Sequence, residues 1–235
     1  MLKFHYASGV MGSFGEGWFW HQLYKFPTLS FTTKTITRYV KVGLPFAVLP
    51  IGNSVFNKVS LHNMGFVDWV LNYNSKCKSG CTISLHGNDH EIASMVDSID
   101  YLPLDRVEAI ELNFSCPNVK SKNNCNIPTS VKPIYLKLNY RQDPYKFDLD
   151  KVKGIRLNSL PLKYCGGSGK IAQRENWSFI ERYSKEGLNI SGCSFLSYDD
   201  ISYLENLGCT EMSIGSVILT NPKFVENILR SCYEN

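Results

Sequence analysis

The chain has 235 residues, of which 43% are hydrophobic, and its formal net charge is +4. This length suits one α/β domain, and a small charge spread over scattered lysines and arginines does not indicate a nucleic-acid-binding protein. No stretch approaches the roughly 18 apolar residues of a membrane span, and the first residues lack the apolar core of a signal peptide. We therefore expect a cytoplasmic protein whose eight cysteines are mostly free thiols.

Short β-rich runs alternate with helix-like segments along the chain, which is typical of a parallel sheet with crossover helices. We predict one α/β domain over residues 1–235, a compact TIM (β/α)8 barrel. Its eight strands are predicted at 4–7, 29–34, 82–85, 107–112, 134–138, 154–157, 189–191 and 211–214.

Helices are predicted at 90–99, 174–186, 198–207 and 222–233. Ser197 is a favourable N-cap for the third of these, and Gly208 ends it. The segment 119–133, between the fourth and fifth strands, is polar and contains two prolines, and the connection after the sixth strand begins with a glycine-rich stretch. We therefore expect some crossover helices to be shortened or missing.

The most informative segment, Asn113-Phe114-Ser115-Cys116-Pro117-Asn118, directly follows the fourth strand. Pro117 cannot continue a ladder because it lacks an N–H. Cys116 thus lies at a strand end between two amides, where α/β barrels carry their chemistry. It is a candidate nucleophile or base beside groups that recognise a flat polar ligand.

Other strand ends carry weaker signals. Ala7-Ser8-Gly9 lets a ligand approach the backbone closely, although Ser-Gly is also a common turn. Lys34 ends the second strand and either faces the barrel mouth or is a solvated lysine. Lys137, among apolar neighbours, needs an anionic partner if it points inward, but strand alternation also allows it to point outward.

Two glycine turns follow the last two strands, at Gly192-Cys193 and Gly215-Ser216. Backbone N–H groups at these positions of α/β barrels commonly hold a phosphate. Asn57 lies in a loop where asparagines usually serve turns, and the stretch 166–169 is either functional or a flexible connector.

Cys77 and Cys81 are four residues apart, with His86 and His90 nearby. Because this is not the usual spacing of a zinc site, we expect ordinary thiols and loop histidines and no bound metal.

Taken in order, these segments resemble the dihydroorotate dehydrogenase family of flavin enzymes. Residues 113–118 match the Asn-x-Ser-Cys-Pro-Asn motif of that family and its dihydropyrimidine dehydrogenase relatives. Residues 33–37 are similar to its Thr-Lys-Thr-Val-Thr segment, and residues 7–9 to its Ala-Ser-Gly. Further matches are Lys137-Leu138, Asn158-Ser159, 166–169, Gly192 and Gly215-Ser216.

The resemblance implies an FMN enzyme that oxidises dihydroorotate to orotate in pyrimidine biosynthesis. Cys116 would remove a proton from C5, and the hydride from C6 would pass to flavin N5. Lys34 would act between flavin and substrate, and Lys137 would lie against the N1/O2 edge of the flavin. The other substrate-binding residues would be Asn57, Asn113, Asn118, Asn158 and Ser159. The other cofactor-binding residues would be Ala7, Ser8, Gly9, Thr35 and Asn113, with Gly169, Gly192, Cys193, Gly215 and Ser216 around the phosphate.

A cysteine base is similar to the soluble class of the family, which often dimerises, so a homodimer is one expectation. Where the family usually has Gly-Gly, this chain has Gly192-Cys193, which adds a Cβ beside the phosphate. Two alternatives stay open: oxidation or reduction of a related dihydropyrimidine, and a degenerate barrel that binds flavin or pyrimidine without turnover. The electron acceptor is equally open among fumarate, NAD through a partner flavoprotein, oxygen and a quinone.

Overall fold

A computed structural model describes residues 2–17, 23–43, 48–58, 61–77, 79–115 and 126–233. The strands in these ranges are β1 (Lys3–Tyr6), β2 (Phe31–Thr32), β3 (Ile36–Thr37), β4 (Val48–Ile51), β5 (Ser54–Asn57), β6 (Cys81–His86), β7 (Val107–Asn113), β8 (Ile134–Leu138), β9 (Gly154–Leu157), β10 (Leu160–Pro161), β11 (Gly166–Gly169) and β12 (Glu211–Ile214). The α-helices are α1 (Phe66–Lys76), α2 (Asp89–Tyr101), α3 (Lys170–Ser184), α4 (Tyr198–Asn206), α5 (Val217–Thr220) and α6 (Pro222–Tyr233).

Seven parallel strands form a nearly closed barrel in the order β12-β1-β2-β6-β7-β8-β9. The predicted seventh strand is reduced to two single bridges, in which Ile190 pairs with Ile155 and Gly192 pairs with Met212. These bridges link β9 to β12 and fill the gap in the barrel. A side chain on Gly192 would overlap the Met212 sulfur, so glycine permits this close approach. The predicted α/β barrel is therefore confirmed.

The crossover connections differ in length, as predicted. Helices α2, α3 and α4 follow the third, sixth and seventh strand positions, and Asn88 begins α2 with a capping box. In the described residues, the connection from β7 to β8 has no helix, and that from β8 to β9 has only the 3₁₀ turns Pro144–Lys146 and Leu149–Lys151. No helix in the described ranges combines the length and apolar composition that crossing a membrane requires.

Helices α1 and α5 and a second sheet were not predicted from the sequence. Helix α1 buries Phe66, Trp69 and Tyr73, which share one face at a helical spacing. The strands β10, β11, β5 and β4 form a separate antiparallel sheet. The interpretation of 166–169 as a flexible connector is therefore wrong, because these residues pair with Asn57 and its neighbours in β5.

The barrel interior is unusually polar for this architecture, in which branched apolar residues normally dominate. In β7, Ile110 and Leu112 alternate with Glu111 and Asn113, so the two pairs face opposite sides of the strand. The polar pair faces inward. Arg156 on β9 donates across the barrel to Thr32 Oγ1 on β2 at 3.1 Å, a contact that passes through the interior.

Candidate functional site

A cavity of about 270 Å³ lies between the carboxyl ends of the barrel strands and the antiparallel sheet. Of the residues predicted to bind substrate, it is lined by Lys34, Asn57, Asn113, Asn158 and Ser159. Of those predicted to bind the cofactor, it is lined by Ala7, Ser8, Thr35, Lys137, Cys193, Gly215 and Ser216. The parallel barrel and the antiparallel sheet together bring residues from distant parts of the chain to one site.

The remaining predicted residues have other positions. Cys116 and Asn118 lie outside the described residues. Gly9, Gly169 and Gly192 are adjacent to the lining. The N–H of Gly192 donates to the Glu211 carbonyl at 2.8 Å as part of the barrel ladder.

Lys137 points into the barrel, which settles the direction that strand alternation left open. Its side chain is largely buried, and its Nζ lies 3.5 Å from Glu111 Oε1. Glu111 Oε2 lies 3.7 Å from Arg156 Nη1, and Arg156 Nη2 lies 3.9 Å from Glu211 Oε2. The floor of the cavity is therefore a charge-balanced network of two cations and two carboxylates, in which Lys137 is the member that reaches the cavity.

Asn113 is held at the cavity by two hydrogen bonds. Its Nδ2 donates to Thr35 Oγ1 at 3.0 Å, and its Oδ1 accepts from the Ser115 N–H at 3.2 Å. Thr35 Oγ1 also lies 3.0 Å from Ser84 Oγ and 3.4 Å from Ser8 Oγ. The amide is thereby fixed in orientation by groups on three neighbouring segments.

A second amide is anchored to the residue that precedes the predicted base. Asn158 Nδ2 donates to the Ser115 carbonyl at 3.1 Å and to Ser115 Oγ at 3.2 Å. Its Oδ1 accepts from the N–H of Ser159, whose Oγ receives a 3.4 Å contact from Asn57 Nδ2. Ser115 in turn donates to the Lys137 carbonyl at 2.9 Å. These contacts link the side-chain amides at the cavity into one hydrogen-bond network. Amides can recognise a polar heterocycle because they carry both donors and acceptors.

One end of the cavity presents backbone donors. In the described part of the chain, the N–H groups of Cys193, Ser194, Gly215 and Ser216 donate to no protein acceptor. All four residues line the cavity, and Ser194 has a φ of 59°, a left-handed conformation that is uncommon for serine. Unpaired N–H groups on two loops that line the same cavity suit an anion such as a phosphate.

Burial shifts the pKa of two ionisable side chains that line the cavity. It lowers the pKa of Lys34 from the usual lysine value, with Glu16 acting in the opposite direction. It raises the pKa of the Cys193 thiol to about 11, against the effect of hydrogen bonds from Ser194 and Asn176. Cys193 is therefore a neutral thiol at neutral pH, so it places no negative charge beside the backbone donors.

Comparison with known proteins identifies the family of the chain. The sequence model of the family described as dihydroorotate dehydrogenase matches residues 3–147, more than half of the chain. The chain belongs to the dihydroorotate dehydrogenase family. The comparison with curated protein sequences gives no match.

Solved structures show the same fold. A ligand-free dihydroorotate dehydrogenase from Eimeria tenella superposes with a TM-score of 0.67 at 10% identity, over 86% of this chain and 75% of that chain. The enzyme from Eimeria tenella in complex with ferulenol superposes with a TM-score of 0.65 at 10% identity, over 86% and 73% of the two chains. At this identity, the likeness shows the barrel fold that the family shares.

The polar lining residues that were not found from the sequence include Ser194 and Asn176. Ser194 directly follows Cys193, and its conformation is set by the tertiary structure. Asn176 lies on α3, where it is 3% exposed and donates to Ser194 Oγ at 3.2 Å. A polar residue on the buried face of a helix, one turn before Phe179 and Ile180, was the signal available in the sequence.

The cysteines and histidines of the third strand region do not meet as a metal site. The thiols of Cys77 and Cys81 are 3.9 Å apart, and His86 Nδ1 is hydrogen bonded to the Asn113 carbonyl at 2.7 Å. In the ranges that the structure describes, no three histidine, cysteine or acidic side chains form a group that could hold a metal ion. The six cysteines in these ranges are free.

Proposed function

We propose that this chain is an FMN-dependent dihydroorotate dehydrogenase, which oxidises (S)-dihydroorotate to orotate in cytoplasmic pyrimidine (UMP) biosynthesis. The observation that carries the proposal is the convergence of Lys34, Lys137 and the amides of Asn57, Asn113 and Asn158 on one cavity. Amides offer both donors and acceptors to a pyrimidine ring, and a lysine offers charge to its carboxylate.

The residues present fit FMN. The four unpaired N–H groups at Cys193, Ser194, Gly215 and Ser216 would hold its phosphate, and neutral Cys193 does not repel it. Lys137 would lie at the edge of the flavin ring, where a buried cation stabilises added negative charge. When bound, FMN supplies the acceptor for a hydride at its N5 atom.

We assign the proton transfer to Cys116. Its thiolate would take the proton from C5 of dihydroorotate, while the hydride leaves C6, so that the two losses create the ring double bond of orotate. The assignment rests on the motif, and it is supported by Ser115, the preceding residue, which is bonded to both Lys137 and Asn158 beside the cavity. Lys34 lies on the same lining, where it would contact the substrate carboxylate.

The experiment is anaerobic reduction of the purified protein. We expect a yellow protein whose flavin absorbance bleaches with dihydroorotate and does not bleach with dihydrouracil. Bleaching by dihydrouracil would instead support a dihydropyrimidine oxidoreductase, and bound flavin that neither compound bleaches would support a binding barrel without turnover.

The role of Cys116 is tested by the Cys116→Ala variant. We expect it to retain FMN and to slow flavin reduction by about 10²–10⁴, the usual contribution of a general base. Cys165→Ala is a matched control, because Cys165 is a partly exposed free thiol that does not line the cavity. Equal reduction rates in the two variants would remove Cys116 from the mechanism.

A further inference from the structure

Glu111 is a buried carboxylate that lies under the cavity without lining it. It is only 1% exposed, on the inward face of β7, two residues before Asn113. Its oxygens contact three side chains: Ser84 Oγ at 2.8 Å, Lys137 Nζ at 3.5 Å and Arg156 Nη1 at 3.7 Å. A buried carboxylate with these partners restrains the positions of all three side chains.

The contact with Ser84 determines the direction of a hydrogen-bond chain. A carboxylate only accepts, so the single hydroxyl hydrogen of Ser84 is directed to Glu111. Ser84 Oγ is then free to accept from Thr35 Oγ1, which lies nearer to it (3.0 Å) than to Ser8 Oγ (3.4 Å), so the single hydrogen of Thr35 is used in the contact with Ser84. Thr35 Oγ1 is left as an acceptor, and it receives Asn113 Nδ2.

The opposite end of this hydrogen-bond chain imposes the same direction from donor to acceptor. Asn113 Oδ1 accepts from the Ser115 N–H, which is a donor only. An acceptor-only carboxylate and a donor-only amide therefore close the two ends, and reversal of any member leaves two donors or two acceptors facing each other. The Asn113 amide is thus presented to the cavity in one orientation.

The Glu111 carboxylate also holds Lys137, the cation at the floor of the cavity. Glu111 Oε1, which receives Ser84, is also the oxygen nearest to Lys137 Nζ. It offsets part of the lysine charge and restrains a side chain that otherwise has four rotatable bonds.

We propose that Glu111 is a positioning residue that sets both the donor direction of Asn113, through Ser84 and Thr35, and the position and effective charge of Lys137. Where it concerns flavin, this inference rests on the proposed function. The hydrogen-bond chain itself is independent of any ligand.

The first test needs no cofactor. It is a double-mutant cycle of Ser84→Ala and Asn113→Ala, measured by urea unfolding of the purified protein. The two residues interact through Thr35, so we expect a coupling of at least about twofold in the unfolding equilibrium constant. Ser98→Ala combined with Asn113→Ala is the control cycle, since Ser98 donates within α2 to the Ser94 carbonyl, and it should be additive. Additivity in the Ser84 cycle as well would overturn the proposal.

The second test separates the two roles in the FMN-loaded protein. Ser84→Ala leaves the Glu111–Lys137 pair in place, so it should weaken dihydroorotate binding about tenfold with little change in flavin midpoint potential. Glu111→Gln also removes the charge that offsets Lys137, so it should raise the midpoint potential as well. Ser84→Thr retains the hydroxyl and should restore binding. Identical potentials in Glu111→Gln and Ser84→Ala would contradict the electrostatic role.

The outcomes distinguish this inference from the proposed function. A protein that takes up no FMN but shows the Ser84–Asn113 coupling would refute the flavin enzyme and support the hydrogen-bond chain that ends at Glu111. The opposite result is a protein whose flavin is reduced by dihydroorotate but whose Ser84–Asn113 cycle is additive. It would support the flavin enzyme and refute the hydrogen-bond chain. If Glu111→Gln does not fold, the unfolding cycle decides the proposal alone.

Discussion

Replacement of His5 by glutamine should remove a defined part of the pH dependence of folding. His5 lies on β1, inside the barrel, with Nε2 2.7 Å from Ser213 Oγ. Burial, and then the charges of Arg156 and Lys137, hold its pKa well below the usual 6.5. The native imidazole is therefore neutral at a pH at which the unfolded chain is already protonated.

The sign and the size of the His5 contribution to stability follow from proton linkage. The native state binds fewer protons than the unfolded state below pH 6.5, so the stability is complete above that pH and is lost as the pH falls. One proton of difference changes the free energy of unfolding by about 1.4 kcal/mol per pH unit. Between pH 7.5 and 5.0, His5 should therefore account for about 2 kcal/mol, provided the native imidazole stays neutral.

Urea unfolding at the two pH values measures this contribution. The loss of stability on acidification should be about 2 kcal/mol smaller in His5→Gln than in the unsubstituted protein, because all other titrating groups are common to both. His90→Gln is the control, since His90 is exposed on α2, and it should leave the loss unchanged. An equal loss in His5→Gln and the unsubstituted protein would refute the assignment of a neutral, buried His5 beside Arg156 and Lys137.

Three further substitutions test other parts of the structure. Lys137→Met removes the floor cation and leaves Glu111 paired with Arg156, so stopped-flow measurements should show dihydroorotate reducing the flavin at least about tenfold more slowly; an unaltered half-reaction would remove Lys137 from the site. Gly169→Ala introduces a Cβ against the Asn53 carbonyl at a φ of 75°, whereas Gly187→Ala has a φ of 87° in open space. Gly169→Ala should therefore lower the free energy of unfolding, measured by chemical denaturation, by about 1–3 kcal/mol more than Gly187→Ala does. Equal losses of stability would argue against a close contact at Gly169. Asn88→Ala deletes the capping box of α2 and should cost about 1 kcal/mol, a decrease of roughly 2–4 °C in Tm; no decrease would show that the cap contributes nothing.

The local sequence was sufficient for most of the barrel strands and for many of the site residues, although the predicted second strand, 29–34, is only Phe31–Thr32 in the structure. Runs such as 134–138, 154–157 and 211–214 have the same bounds in the structure, because short apolar β-rich segments bounded by turn residues specify strands locally. Once the strands are parallel, their carboxyl ends meet, so Lys34, Asn113 and Lys137 had to lie near one another.

Other features required the tertiary structure. The direction of Lys137, the ion pairs of Glu111 with cations on β8 and β9, and the neutral state of His5 depend on side chains that are far apart in sequence. The reduction of the seventh strand to two bridges depends on how closely Gly192 approaches Met212.

Most strands of the parallel barrel, and the polar residues at their ends, could be predicted from the sequence, because a short apolar run bounded by turn residues is a local pattern. The charged network beneath those strand ends, with its single hydrogen-bond direction, is visible only in the folded barrel. That network depends on the register between neighbouring strands, where Asn113 pairs with Lys137 and Lys137 with Arg156. Register is a property of the assembled barrel and not of any one segment.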